Sequence, residues 1–366
     1  MQKFLMGMLA VCLFAVMPAR AEIVVAAVGP MTGQDAAMGE QLQRGVEAAA
    51  DAINEAGGVL GQKVRIIVKD DACDPKQGVA VANSLAGAKV AGVIGPICSG
   101  VAIPVTRILN EEGIVMISPA ATNPMVTDQR FGNIFRVCGR DDQQGVAIGK
   151  YMAKHFTGKK IAILHDKTAF GHGLAEETKK SLRAAGIKEI VYDAVNRGEK
   201  DFSALISRLR EANIEIIFFG GYHPEAGLLV RQIHDRGLKM LLVGGDGLTT
   251  NEFWTITGKA GEGTLMAFAP DPRKNPSAEA AVTRLRGAGF EPEGYTLQSY
   301  AALEVLAQAI ARAGKIGGAA IAKTIHAGEF PTVMGALKFD AKGDVTNPQY
   351  AMYRWSEGTY HEIEEK

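Results

Sequence analysis

The chain has no excess of charge. Forty lysines and arginines balance forty aspartates and glutamates over 366 residues. That balance gives no support to nucleic acid or an anionic membrane as a partner. It also has no long apolar run. The one candidate, Phe4 to Met17, covers about 14 residues, short of the roughly 20 that span a bilayer. Enzyme signatures are missing as well: there is no G-x-x-x-x-G-K-S/T, no G-x-S-x-G and no H-E-x-x-H. "FGHGLAEE" offers Gly171 and Gly173 but has Glu176 where a third glycine belongs, so a dinucleotide cofactor is not expected. No short repeat and no low-complexity linker divides the chain.

At its start, Lys3, the apolar run and Ala19-Arg20-Ala21 have the order of a secretory leader with an A-x-A cleavage site. Cleavage after Ala21 removes 21 of 366 residues and leaves 345, enough for two domains with full cores. Export changes the meaning of cysteine, since oxidising compartments favour disulfides. Cys73, Cys98 and Cys138 remain, and one pair with one spare is the simplest arithmetic. Cys73 and Cys98 each follow a strand-like run, "KVRIIVKD" and "KVAGVIG", so neighbouring strand ends make them candidate partners. The three aspartates around Cys73 raise the question of a metal loop, but the calcium-loop spacing is absent. Asp74, Pro75 and Gln77 instead have the order of an acidic N-cap, a first-turn proline and a capping-box partner. No metal is expected.

Apolar strand runs and helical stretches alternate along most of the chain. "EIVVAAVG", "VRIIV", "VAGVIG" and "IVMIS" form a first set. "KIAILH", "EIVYD", "IEIIFF", "KMLLVG" and "GTLMAF" form a second, with helices near 172–185, 202–212, 224–236 and 251–257. In the first helix Leu42, Val46, Ala49 and Ile53 share one face before a stop at Gly57. This alternation predicts an α/β protein of two Rossmann-like lobes built on parallel sheets. The tail from Pro272 adds three helical stretches and the late strands "ALKFD" and "QYAMYRWS".

In open α/β sheets ligands bind beyond the carboxyl ends of the strands, so the strand-end residues are the candidates. Ser99, Ala120 to Thr122, Phe170, Tyr222 and Asp246 all fall there. Hydroxyls and free amides at helix starts suit a carboxylate, one aspartate opposite suits an ammonium, and aromatic walls leave room for an apolar side chain. Ser99 with His165 or His223 as base would be the catalytic alternative. Serines at helix starts more often cap or bind anions, and His165, His172 and His223 read as surface or loop residues.

"DDACDPKQ", "MISPAAT", "HDK", "GEKDFS", "GGYHPE" and "TVMG", in this order between about Glu22 and Trp355, resemble the periplasmic leucine/isoleucine/valine-binding protein family, the type I solute-binding proteins of branched-chain amino acid ABC transporters. The resemblance implies a three-strand hinge, with crossings near Gly139–Asp142, Ala267–Asp271 and Thr346–Tyr350. The lobes become 22–140 with 271–347 and 141–270 with 348–366, after a leader over 1–21. It pairs Cys73 with Cys98. It also implies that Ser99 and Thr122 hold the ligand's carboxylate end, with backbone contacts from Ala120 and Ala121, and that Tyr222 contributes an aromatic contact; Tyr295 is a further candidate ligand-binding residue. Asp246 meets the ammonium where well-known members have glutamate. Phe170 replaces a tyrosine, Met38 stands where an aromatic is usual, and Cys138 matches no family cysteine. The implied protein is a monomeric periplasmic receptor, not an enzyme, that needs no cofactor and hands an amino acid to a membrane permease. A sensor of the same fold coupled to a regulator is the second reading, and a secreted hydrolase or oxidoreductase the third.

Overall fold

Ile23–Gly29 forms β1, and nearly all of it is buried, as a strand covered by helices on both faces must be. In the computed structural model, which describes residues 22–364, the chain continues through α1 (Ala36–Glu55), β2 (Val64–Asp70), α2 (Pro75–Ala86), β3 (Gly92–Ile94), α3 (Ser99–Glu111), β4 (Met116–Ser118), α4 (Met125–Asp128) and β5 (Ile134–Arg136). The expected leader lies outside the described residues. These five strands pair in the order β2-β1-β3-β4-β5, all parallel. β5 was missed because its apolar run is only Ile134-Phe135 before Arg136.

A second unit follows: α5 (Asp141–His155), β6 (Ile161–His165), α6 (Ala169–Ala184), β7 (Val191–Ala194), α7 (Ser203–Glu211), β8 (Ile216–Gly220), α8 (His223–Asp235), β9 (Leu241–Gly244), α9 (Asn251–Thr257) and β10 (Leu265–Phe268). Its parallel part runs β7-β6-β8-β9-β10, which repeats the order of the first sheet. The chain then forms α10 (Glu279–Gly287), α11 (Thr296–Ala313), α12 (Gly318–Ala327) and a hairpin of β11 (Glu329–Thr332) and β12 (Gly335–Lys338). α11 packs along α1 and reaches β3 and β4, which returns this part of the tail to the first lobe.

Last come β13 (Ala351–Ser356) and β14 (Thr359–Glu362), added antiparallel beyond β10. The expectation of parallel sheets therefore holds for the first sheet and is corrected for the edge of the second. The two-residue turn between them has Glu357 at φ 51° and Gly358 at φ 91°, the left-handed pair that closes a tight hairpin, and such a hairpin can only be antiparallel.

The aspartates of "DDACD" are occupied by backbone. Asp70 accepts from the N–H groups of Met31 and Ala72, Asp71 from that of Cys73, and Asp74 caps α2 through the N–H of Gln77 at 2.8 Å. The return half of the expected capping box is not made, because the Gln77 amide donates instead to the Asp70 carbonyl at 2.9 Å. Cys73 and Cys98 are bonded, with their Cα atoms 5.6 Å apart. Because Cys98 is the N-cap of α3, the bridge ties the starts of α2 and α3 together. Closing a loop with a sequence separation of 25 stabilises by about 3–4 kcal/mol on the chain-entropy account.

The segments joining the lobes touch one another. A Cβ on Gly139 would stand 2.2 Å from the Tyr350 hydroxyl, so these two crossings approach as closely as glycine permits. That hydroxyl donates to the Arg140 carbonyl at 3.0 Å. The Gln144 amide donates to the Ala267 carbonyl at 3.0 Å, beside the third crossing. Asp344 takes Arg136 Nε at 2.6 Å and Arg140 Nη1 at 2.8 Å.

Candidate ligand-binding site

The parallel strands of both sheets share one order, so each has its crevice where the strand order reverses, between β1 and β3 and between β6 and β8. On the first lobe Ser99 opens α3, where the helix presents its unpaired N–H groups and positive end. The loop after β4 is braced from beneath. The Ser118 hydroxyl donates to the Pro96 carbonyl at 2.7 Å and accepts the Ala121 N–H at 2.9 Å and the Ala120 N–H at 3.4 Å. The Ser99 hydroxyl accepts the Asn123 N–H at 3.2 Å. Buried Arg136 donates to the carbonyls of Ala121 and Asn123 at 2.8 and 3.0 Å. With those carbonyls turned toward a guanidinium, the loop is locked. Among the described residues the buried Thr122 hydroxyl has no partner.

The second lobe supplies acids and rings. Asp246 opens a 3-10 turn (Asp246–Leu248) directly after β9 and is buried. Its Oδ2 accepts the Tyr295 hydroxyl, and its Oδ1 has no partner among the described residues. Burial raises its pKa to about 6 against the pull of the Tyr295 hydrogen bond. Asp141, the first residue of α5, is fully buried with both oxygens unpartnered among the described residues. Burial raises it well above the carboxylate range and the charge of Asp246 raises it further, while the Thr122 hydroxyl beside it pulls the other way. The loops behind these acids are pressed together. A Cβ on Gly247 would meet the Gly221 carbonyl at 2.3 Å and the Phe170 ring at 3.0 Å. Phe170 and Tyr222 have ring centroids 5.0 Å apart, and Tyr295 packs edge-on against Phe268 at 5.1 Å.

The lobes are closed on each other. Arg197, in the segment after β7, pairs with Asp35 beside α1 and with Glu225 at 2.6 Å, and lies 4.9 Å from the Tyr222 ring. Gln34 donates to Glu225 at 3.0 Å, Gln41 to the Thr249 carbonyl at 3.0 Å and Asn123 to the Ala169 carbonyl at 2.8 Å. Closure leaves Met38 buried along with every other expected site residue.

Several local expectations change. Phe170 lies in the first turn of α6, not in the loop before it, and Tyr222 is the N-cap of α8. His165 and His223 are buried, not surface residues: His165 ends β6 against His172, with ring centroids at 4.8 Å, and His223 stands 3.5 Å from Glu252. Among the described residues the Ser99 hydroxyl is bonded to the Asn123 N–H and not to either candidate base. Gly171 serves packing, since a Cβ there would meet Asp166 at 2.2 Å and the Gly220 carbonyl at 2.4 Å. Asp141 escaped the sequence reading because an acid in a first helical turn is ordinarily explained by the helix dipole. Its place within the expected crossing Gly139–Asp142 was the available signal.

The sequence profile described as periplasmic binding protein matches residues 22–359. This chain belongs to that family. The family is one of binding proteins rather than enzymes. A Leu/Ile/Val-binding protein homolog 1 of Brucella suis is 51% identical over 339 residues, covering 92% of this chain and 91% of the relative. A leucine-binding protein, LivK, of Thermotoga maritima superposes with a TM-score of 0.86 at 28% identity, over 93% of this chain and 98% of that one. An ABC transporter substrate-binding protein of Desulfitobacterium hafniense in complex with leucine gives 0.78 at 26% identity, over 94% and 100%. The two-lobed α/β architecture and the Cys73–Cys98 bridge of this family member accord with the resemblance read from its segments.

Proposed function

We propose that this binding protein captures branched-chain aliphatic α-amino acids in the periplasm and delivers them to an ABC permease. One observation carries the reading: two buried acids, Asp141 and Asp246, have unpartnered oxygens and pKa values raised by burial, with the charge of Asp246 raising Asp141 further, and Asp141 adjoins the braced loop through its N–H on the Thr122 carbonyl at 2.9 Å. An ammonium between the acids relieves both their burial and their repulsion. The Ala120 and Ala121 N–H groups are already held by Ser118, so the carboxylate end goes to Ser99, at the start of α3, and to Thr122. Met38, Phe170, Tyr222 and Tyr295 surround the aliphatic side chain. Relatives support the class, being named for leucine, isoleucine and valine or solved with leucine.

In this reading the lobes are residues 22–140 with 271–347 and 141–270 with 348–366. The hinge closes on ligand because neither lobe holds both charges. Residues 1–21 are removed on export, and the closed monomer is what the permease meets. Calorimetry on ligand-stripped protein tests the assignment with leucine, isoleucine, valine and 4-methylpentanoate, which is leucine without its ammonium. The three amino acids are expected to bind and 4-methylpentanoate to bind at least about tenfold more weakly, roughly 1.4 kcal/mol. Equal binding of 4-methylpentanoate would reopen the amino acid assignment.

A further inference from the structure

A chamber of about 450 Å³ lies against all three crossings. Thr122, Asp246 and Tyr295, residues of the proposed amino acid site, line it together with Cys138 and Gln298. Gln298 follows Tyr295 by three residues at the start of α11, so the two side chains share a helix face and line one wall. Gln298 is 1% exposed, and among the described residues neither its amide oxygen nor its amide nitrogen has a hydrogen-bond partner. Buried amides are ordinarily paired, so a fully unpaired one lining a cavity marks a place where a ligand group completes the bonding.

The rest of the lining defines that group. Lys274 and Asp271 in the lining are paired with Glu362 and Arg273. The Cys138 thiol is kept protonated by burial. Beyond Asp246 no unpaired charge faces the space, while Val137, Phe268, Met334 and Leu337 give it apolar walls. A second carboxylate would meet no cation, and a second ammonium would find Asp246 already engaged. A neutral group that donates and accepts meets its complement in Gln298, and its methylene stem meets the walls.

We infer that the amino acid site extends on the hinge side into a second subsite, where Gln298 recognises an uncharged hydrogen-bonding group such as a side-chain carboxamide. This rests on the amino acid reading above. The receptor then takes neutral polar amino acids alongside branched aliphatic ones.

Calorimetry with leucine, glutamine, asparagine, glutamate and norleucine tests it on wild-type protein and on Gln298→Met, which keeps length and removes hydrogen bonding. Glutamine is expected to bind wild type more tightly than norleucine does and to lose at least about tenfold in the variant. Leucine is expected to change less than about threefold, and glutamate to bind wild type at least about tenfold more weakly than glutamine. Leucine binding without glutamine binding, norleucine matching glutamine, or an unchanged glutamine affinity in Gln298→Met would each overturn the subsite and leave the amino acid reading standing. The norleucine comparison needs no variant, so a poorly folding Gln298→Met does not protect the inference. Absence of binding by leucine and glutamine alike would instead overturn the reading it rests on.

Discussion

The loop after the fourth strand of the first sheet, Pro119–Asn123, and its counterpart after the fourth strand of the second, Gly245–Thr249, occupy the same place in the same strand order. They are finished differently. In the first loop the amides of Ala120 and Ala121 are held by Ser118, and the carbonyls of Ala121 and Asn123 by Arg136. In the second, Asp246 keeps an unpartnered oxygen and a pKa raised to about 6 by burial. One half of the cleft is part of the fold, whereas the other holds a charge that the fold alone leaves uncompensated. Mutations in the two halves should therefore separate stability from binding.

The largest effect should come from the first half. Arg136→Met leaves Asp344 with Arg140 alone and frees the loop carbonyls of Ala121 and Asn123, and each buried group left unpaired costs about 1–3 kcal/mol. Urea unfolding of the ligand-free variant should show that loss together with weak leucine binding. A stable variant that merely binds poorly would erase the distinction. Arg197→Gln acts across the closed cleft, removing the partner of Asp35 and Glu225 without touching either loop. Leucine affinity should fall about tenfold, roughly 1.4 kcal/mol, mainly through faster release, as stopped-flow displacement would show. Acid should have a smaller effect. Because the pKa of ligand-free Asp246 is raised to about 6, protonation relieves a buried charge at low pH, and that relief is lost as pH rises through about 6. Ammonium binding needs the ionised acid, so leucine affinity should weaken at least about fourfold between roughly pH 7 and 5.5. Calorimetry in buffers of different ionisation enthalpy would detect the coupled proton.

How much of this was legible depends on the element. Long apolar strands such as Ile161–His165 and strongly periodic α1 were readable, and so was the Asp74 cap, because each is fixed by local pattern. Ser99, Thr122 and Asp246 were readable as strand-end residues. Asp141 and Arg136 were not. One looks like an ordinary first-turn acid and the other like a strand residue, and each acquires its role from neighbours far away in the chain, Asp246 and Asp344. The antiparallel edge β13–β14 was half visible, since its tight turn lies at Glu357–Gly358 but its pairing with β10 is tertiary. The closed-cleft contacts of Arg197 left no mark in local sequence.

The central claim is that Asp246 is kept for the ligand at the expense of the ligand-free fold. The direct test is thermal unfolding of wild type and Asp246→Asn with and without saturating leucine. Asp246→Asn should leave the ligand-free melting temperature at pH 7.5 unchanged or higher, because it removes a buried charge whose pKa is raised, while the upward shift on adding leucine is largely lost. A variant that melts lower without ligand, or one that keeps the full leucine shift, would contradict the account.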